Sequence, residues 1–141
     1  MKVYILNDID KSTQVDDLLH TLAPASPEVN EARLRKLLGN DSFRLFVAED
    51  TDGTLTGMLT LTCCQTLARS KYWIEDVVVK PEFRGQGIGR ALVEAAVGHV
   101  RETCGQAVIY LTSNPSRQAA RALYRSVGFE DYETGVFRIT I

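Results

Sequence analysis

Between Val77 and Arg90 the chain reads Val77-Val78-Val79-Lys80-Pro81-Glu82-Phe83-Arg84-Gly85-Gln86-Gly87-Ile88-Gly89-Arg90, a β-branched run that passes through a glycine-rich turn into an apolar-periodic segment. A passage of this kind gathers backbone amides at the start of a helix. Glycines at 85, 87 and 89 leave no side chain over those N–H groups, and the helix dipole adds positive potential. The chemistry on offer is therefore binding of a pyrophosphate. Arg84 and Arg90 would add charge-assisted donors. The same turn could equally do no more than cap the helix, and the loop by itself leaves both readings open. Two nucleotide-binding patterns are excluded by missing parts. A P-loop needs a lysine followed by Ser or Thr, whereas Gly89 is followed by Arg90-Ala91. The spacing of the glycines also lacks the GxGxxG register and the ribose-binding acid of a dinucleotide fold.

Other reactive side chains lie on either side of this loop. Glu75-Asp76 precede the valine run, and strand alternation sends their carboxylates to opposite faces, so that only one can face a cleft. Arg117, Arg121 and Tyr124 fall on one helical face at spacings of three and four, where an arginine could reach a phosphate or an anionic acceptor. His20 and His99 lack a second ligand at i+4, so no metal is expected. Cys63, Cys64 and Cys104 form neither an even disulfide framework nor a CxxC pair and are read as reduced core thiols. No histidine neighbours Cys63-Cys64 to support an acyl-cysteine intermediate.

The elements that must position these groups follow from periodicity. A strand near residues 2–7 leads to Asp10 as a helix N-cap, with Val15, Leu18, Leu19 and Leu22 at helical spacing. A second helix after Pro27 carries Ala32, Leu34, Leu37 and Leu38 and ends at Gly39-Asn40, residues suited to a left-handed exit. Residues 43–50 and 54–67 alternate around the turn Asp52-Gly53, predicting an antiparallel hairpin. A third strand runs from about Lys71 to Lys80 until Pro81 stops it. Leu92, Val93, Ala96, Val97 and Val100 give the next segment a helical face ending near Cys104-Gly105. The strand Ala107–Thr112, an N-cap at Asn114-Pro115-Ser116 and a helix over 117–127 closed by Gly128 come next. Phe129–Glu133 and Val136–Ile141 around Thr134-Gly135 read as a closing strand pair.

At 141 residues and 15.7 kDa the chain fits one domain over residues 1–141. A formal net charge of −2 supplies no positive field for nucleic acid or anionic lipid, so neither is an expected partner. The opening Val3-Tyr4-Ile5-Leu6 lacks the regions of a signal peptide, and no apolar run approaches the ~20 residues of a membrane span. The cytoplasm is the expected compartment.

The loop Arg84–Gly89 resembles the [QR]xxGx[GA] signature of the GCN5-related N-acetyltransferase superfamily, and Ala119-Ala120-Arg121-Ala122-Leu123-Tyr124-Arg125-Ser126-Val127-Gly128-Phe129 looks like its A-x-x-LY-x-x-x-GF segment. The chain thus resembles this superfamily over nearly its whole length. The resemblance implies an α/β fold with a single mixed, mostly antiparallel sheet flanked by about four helices. It implies that acetyl-CoA is co-substrate, its pantetheine arm bonded to the backbone of Val77, Val78 and Val79. The pyrophosphate would lie on Arg84, Gly85, Gln86, Gly87, Ile88, Gly89 and Arg90, with Asn114 and Arg117 nearby. Many members carry asparagine seven residues before the tyrosine, where this chain has Arg117 and places Asn114 three residues earlier. Tyr124 matches the tyrosine that acts as general acid; the alternative is a core tyrosine whose hydroxyl caps a backbone group. Ile74-Glu75-Asp76-Val77-Val78-Val79 is similar to the corresponding strand of glucosamine-6-phosphate N-acetyltransferases, which makes Glu75 the candidate base; solvation of a sheet edge and a base acting through water stay open beside it. The implied reaction is direct transfer of acetyl to a primary amine of a small molecule or peptide, the acceptor being set by residues 10–40 and the closing strands. Homodimerisation through those strands is a further expectation. The alternative function is a non-catalytic acetyl-CoA-binding sensor or scaffold of the same fold.

Overall fold

The structure is a computed structural model that describes residues 1–141. Its centre is one five-stranded sheet in the order β1-β2-β3-β4-β5, with β1 Lys2–Ile5, β2 Phe43–Glu49, β3 Leu55–Gln65, β4 Ser70–Val79 and β5 Val108–Tyr110. The first four strands pair antiparallel, and β5 joins β4 in parallel. Helices α1 Ser12–Leu22, α2 Glu31–Leu38, α3 Ile88–Cys104 and α4 Gln118–Val127 cover the sheet. The expected α/β architecture, mixed and mostly antiparallel, is the one observed.

Strand alternation divides the core into two layers. Leu18, Leu34, Val47, Met58 and Val78 are buried together under α1 and α2. Phe46, Leu59, Leu61, Ile74, Leu92 and Ala96 are buried together under α3. Fully buried leucines such as Leu18, Leu59 and Leu92 each contribute about 1.5–3 kcal/mol relative to exposure, so the two layers hold the sheet between its helices. The layer on the α3 side sets the position of the glycine-rich loop, because Ile88 at the start of α3 is one of its buried residues.

Gly57 permits that docking. A Cβ there would lie 2.9 Å from the Val78 carbonyl oxygen, 3.1 Å from Ile88 Cγ2 and 3.2 Å from Leu92 Cδ1. A glycine inside a strand pattern is the sequence signal for such an approach. Gly57→Ala is expected to destabilise the fold by about 1–3 kcal/mol, as overpacking against fixed backbone does. Urea unfolding would show a lower midpoint with an unchanged slope. An unaltered midpoint would mean that both the β4 backbone at Val78 and α3 can give way without loss.

Local chemistry departs from expectation at several ends. Asp8, not Asp10, caps the first turn, its Oδ1 accepting from the Asp10 N–H at 2.8 Å; a 3-10 turn over Ile9–Lys11 then leads into α1. Gly39 exits α2 in the right-handed region, φ −78°, because its N–H still bonds back to Arg35. The cap position of α4 is Arg117 with no side-chain cap bond. Asn114 Oδ1 instead accepts from the Ser116 N–H and Oγ, closing a local turn. The largest correction concerns the closing strands. Residues 129–141 adopt no strand, and Val136, Phe137, Ile139 and Ile141 are exposed. Alternation alone cannot make a ladder, since a two-stranded hairpin without a third strand or a helix behind it is marginal in water. The segment is instead tied at its start, where Asp131 pairs with Arg125 and Tyr132 lies edge-on to Tyr110.

The connection from α1 to α2 is held by side chains of α1. His20 Nδ1 lies 2.8 Å from the Asp16 carbonyl oxygen, and Nε2 lies 2.8 Å from that of Ser26. Both neighbours only accept, so the ring satisfies both only with a proton on each nitrogen. These bonds raise its pKa above the usual histidine value, with the nearby Asp16 and Asp17 carboxylates adding to the effect. Asp16 Oδ1 also accepts from the Val29 N–H at 2.7 Å. His20 is thus committed to a backbone clamp, and His99 lies edge-on to Phe46.

Candidate active site

The loop after β4 presents a row of amides. A 3-10 turn over Pro81–Phe83 is followed by Gly85 and Gly87 at φ +77° and +80°. A Cβ at either glycine would meet nothing within 4 Å, so backbone conformation rather than crowding calls for glycine at both. Gly87 is the cap residue of α3 and offers no side-chain bond to its first turn. The N–H groups of Gly85, Gln86, Gly87, Ile88, Gly89 and Arg90 find no acceptor within the chain; the first helical bond in is from Ala91 to Gly87. Six successive free donors at a helix start form an anion-binding concavity. The arginines beside it are engaged. Arg84 Nε donates to the Val79 carbonyl at 3.1 Å, while Arg90 reaches Glu94 at 2.8 Å and Ser126 at 3.2 Å. Gly89 has a packing task, since a Cβ there would press on Leu123 Cδ1 of α4 at 3.2 Å.

Along β4 the sheet opens. The parallel ladder to β5 ends with the pair Trp73 and Tyr110, although β4 continues to Val79. From Ile74 onward the edge of β4 that faces away from β3 has no strand partner. Val77 and Val79 pack toward the α3 layer and Val78 toward the α1 layer.

A β-bulge in β4 changes the placement of the acids. Met58 pairs with Val78 and Thr60 with Glu75, so Leu59 alone stands opposite both Asp76 and Val77. Asp76 takes φ +50°, a region that aspartate tolerates better than most residues. Thr60 and Glu75 face each other on the α1 side of the sheet, and Thr60 Oγ1 donates to Asp76 Oδ2 at 3.0 Å. Both carboxylates therefore lie on one face, not on opposite faces as strict alternation requires. The extra residue of the bulge breaks the period of two.

Glu75 and Asp76 line a cleft of about 280 Å³ together with Leu22 at the end of α1 and Ala23 just after it, Ile74 and Val77 of β4, Leu111, Thr112, Arg117 and Tyr124. The candidate acid and the candidate base are thus brought to one cavity from elements about 50 residues apart in sequence. Partial burial raises the pKa of Glu75 above the ordinary carboxylate value, and the Asp76 charge raises it further. Burial likewise raises Tyr124, opposed by the positive charge of Arg117. Asn114, Arg117, Thr112, Ser113 and Ser116 line an adjoining open hollow of about 700 Å³. Arg117 and Thr112 belong to both spaces.

Of the residues singled out in sequence, Glu75, Val77, Arg117 and Tyr124 meet at the cleft, Gly85 to Arg90 form the amide row just beyond Val79, and Asn114 lies on the neighbouring hollow. Sequence reading missed Thr60 as the anchor of Asp76, and Leu22, Ala23 and Leu111 as cleft walls. A threonine in a buried strand carries no signal of its own, since the bond depends on the register between β3 and β4.

A family model described as Acetyltransferase (GNAT) family matches residues 11–129. The chain is 26% identical over 133 residues to a mycothiol acetyltransferase of Propionibacterium freudenreichii, covering 92% of this chain and 42% of that protein. It is 33% identical over 85 residues to the N-alpha-acetyltransferase RimI of Mycobacterium tuberculosis, covering 60% of this chain and 51% of that one. The chain thus spans about half or less of the length of these curated relatives. Among solved structures, an aminoglycoside acetyltransferase from an uncultured soil metagenomic sample superposes with a TM-score of 0.87 at 24% identity, over 99% of this chain and 95% of that one, a likeness of fold. No helix is long and apolar enough to cross a membrane.

Proposed function

The chain belongs to the acetyltransferase (GNAT) family, and on that premise we propose that it transfers acetyl from acetyl-CoA directly to a primary amine of a small molecule or peptide. The observation that carries this reading is the shared cleft. Two carboxylates and a part-buried phenol line one cavity beside the open edge of β4, and the amide row follows at the end of that strand. The residues present fit the co-substrate: free N–H groups from Gly85 to Arg90 suit its pyrophosphate, and the outer edge of β4 along Val77, Val78 and Val79, which has no strand partner beyond Trp73, suits the amides of its pantetheine arm. Asn114, on the neighbouring hollow, would stand near the thioester end.

In this reading the acceptor binds as an ammonium, releases one proton to solvent, and attacks the thioester carbonyl as the neutral amine. As the C–N bond forms the nitrogen becomes cationic, and Glu75 takes its proton while the C–S bond breaks. Tyr124 gives a proton to the departing sulfur and is reprotonated from solvent, so the products are an amide and a free thiol. A carboxyl whose pKa is raised by burial and by the Asp76 charge suits the first task, being a stronger base than an ordinary glutamate. A phenol kept protonated by burial suits the second. Asp76, held by Thr60, stays beside Glu75 to favour a cationic amine. At an effective dielectric of ~20, an ammonium about 4 Å from a carboxylate gains roughly 4 kcal/mol before desolvation. One domain over residues 1–141 and a cytoplasmic setting, where acyl-CoA is available and the three free cysteines stay reduced, belong to the same proposal.

The test is calorimetric titration with acetyl-CoA followed by thiol release across amine classes. Saturable binding with amine-dependent release is expected. Binding without release from any amine would leave a sensor, and absence of binding would overturn the co-substrate assignment.

A further inference from the structure

The cleft carries opposite charges on facing elements. Glu75 and Asp76 project from β4, while Arg117 stands at the start of α4 and lines the same 280 Å³ space. The other arginines of α4 are engaged: Arg121 donates to the Ser113 carbonyl at 3.1 Å, and Arg125 donates to both oxygens of Asp131. Arg117 has no salt bridge, its side chain donates to no protein acceptor, and it is exposed. Its guanidinium is close enough to Tyr124 to oppose the effect of burial on the phenol. Arg117 is thus an unpaired cation beside the reacting groups, on the same cavity as two acids, with its N–H donors free to meet an anionic group of a ligand.

We infer that the acceptor is a zwitterion, an amine carrying an anionic group a few atoms away, and that Arg117 is the specificity residue that pairs with that anion. The inference rests on the acyl-transfer reading above and adds the acceptor's chemical class. The acids take the ammonium end, and the guanidinium takes a carboxylate or a phosphate, either of which it can grip through two parallel N–H bonds. Thr112, which lines both spaces, adds a hydroxyl donor next to the guanidinium, whereas the Ser116 hydroxyl is engaged by Asn114. The cavity is small beside the ~300–1,000 Å³ typical of ligand sites, so it accommodates only the charged end of a longer acceptor. Arg117 thereby serves the acceptor, one of the two roles its helical spacing left open, and not the co-substrate with which the family resemblance placed it.

Matched acceptor pairs provide the test: amino acids against their amides for the carboxylate arm, and amino-sugar phosphates against the unphosphorylated sugars for the phosphate arm. The wild-type protein is expected to favour the anionic member of at least one pair by roughly 10- to 100-fold in kcat/KM, the worth of one charge-assisted contact. The arm that shows the preference identifies the anion. Arg117→Gln should erase the preference while leaving KM for acetyl-CoA unchanged, and Arg117→Lys should restore part of it. Acetylation of amines without preference in either pair overturns the inference and leaves the acyl-transfer reading standing. A rise in KM for acetyl-CoA in Arg117→Gln, with the acceptor preference intact, also overturns it and returns Arg117 to the co-substrate. Failure to acetylate any amine removes both.

Discussion

Tyr124→Phe is expected to lower kcat by about 10²- to 10⁴-fold while acetyl-CoA affinity by calorimetry stays within about twofold of wild type. The hydroxyl is the only atom removed, and the ring's edge-on contact with Phe129, centroids 6.1 Å apart, is kept. A stability change large enough to explain the loss is therefore not expected. The raised pKa means that the phenol is protonated throughout the neutral range, so its task is donation and not abstraction. Thiol leaving groups of different acidity give a sharper readout than rate alone. A sulfur that leaves easily needs less protonation, so an activated thioester should recover most of the lost rate in the variant. Equal loss with ordinary and activated thioesters would remove Tyr124 from the proton path and leave it a wall of the cleft.

Glu75→Gln should cost about 10²-fold or more in kcat/KM for the amine and should remove the acid limb of the pH profile. The sign follows from the shift. The carboxyl must be ionised to accept a proton, and burial with the Asp76 charge lifts its pKa above 4.5, so wild-type activity falls as pH drops through that raised value. The amine's own deprotonation governs the profile at higher pH, and both proteins should share that limb. Stability runs the other way. A folded-state pKa raised above the unfolded one stabilises only the protonated form, and that contribution is lost as pH rises through the folded pKa. At neutral pH the variant should therefore be as stable as wild type or slightly more so, which separates lost chemistry from lost fold. An acid limb that persists in Glu75→Gln and vanishes in Asp76→Asn would transfer the base to Asp76.

Much of this site is local, and what is local was legible in the sequence. The glycine loop could be read because positive φ at Gly85 and Gly87, and the free amides beyond them, are consequences of neighbours in the chain. The four helices, the hairpin at Asp52-Gly53 and the tyrosine segment with its left-handed exit at Gly128 follow from periodicity in the same way, although the caps at Asp10, Gly39 and Asn114 do not form as read. The family resemblance, confirmed by the match over residues 11–129, rests on those same two local blocks. Two expectations failed where partners distant in sequence decide. Residues 129–141 alternate like strands, yet strand formation needs a ladder partner, and the structure offers them none. Glu75 and Asp76 were assigned to opposite faces from a period of two, but the register between β3 and β4 inserts one extra residue at Asp76. That insertion turns both carboxylates toward α1 and lets Thr60, buried 16 residues away, hold one of them.

The order of elements and the glycine turn were thus readable from spacings of a few residues, and the family resemblance carried by two short blocks supplied the fold class and the use of the turn. Tertiary structure alone decided that the acids share a face, that Tyr124 and Arg117 close the same cleft, and that Gly57 must be glycine. Those outcomes depend on inter-strand register and on how closely α3 and α4 approach the sheet, distances that no single stretch of chain encodes.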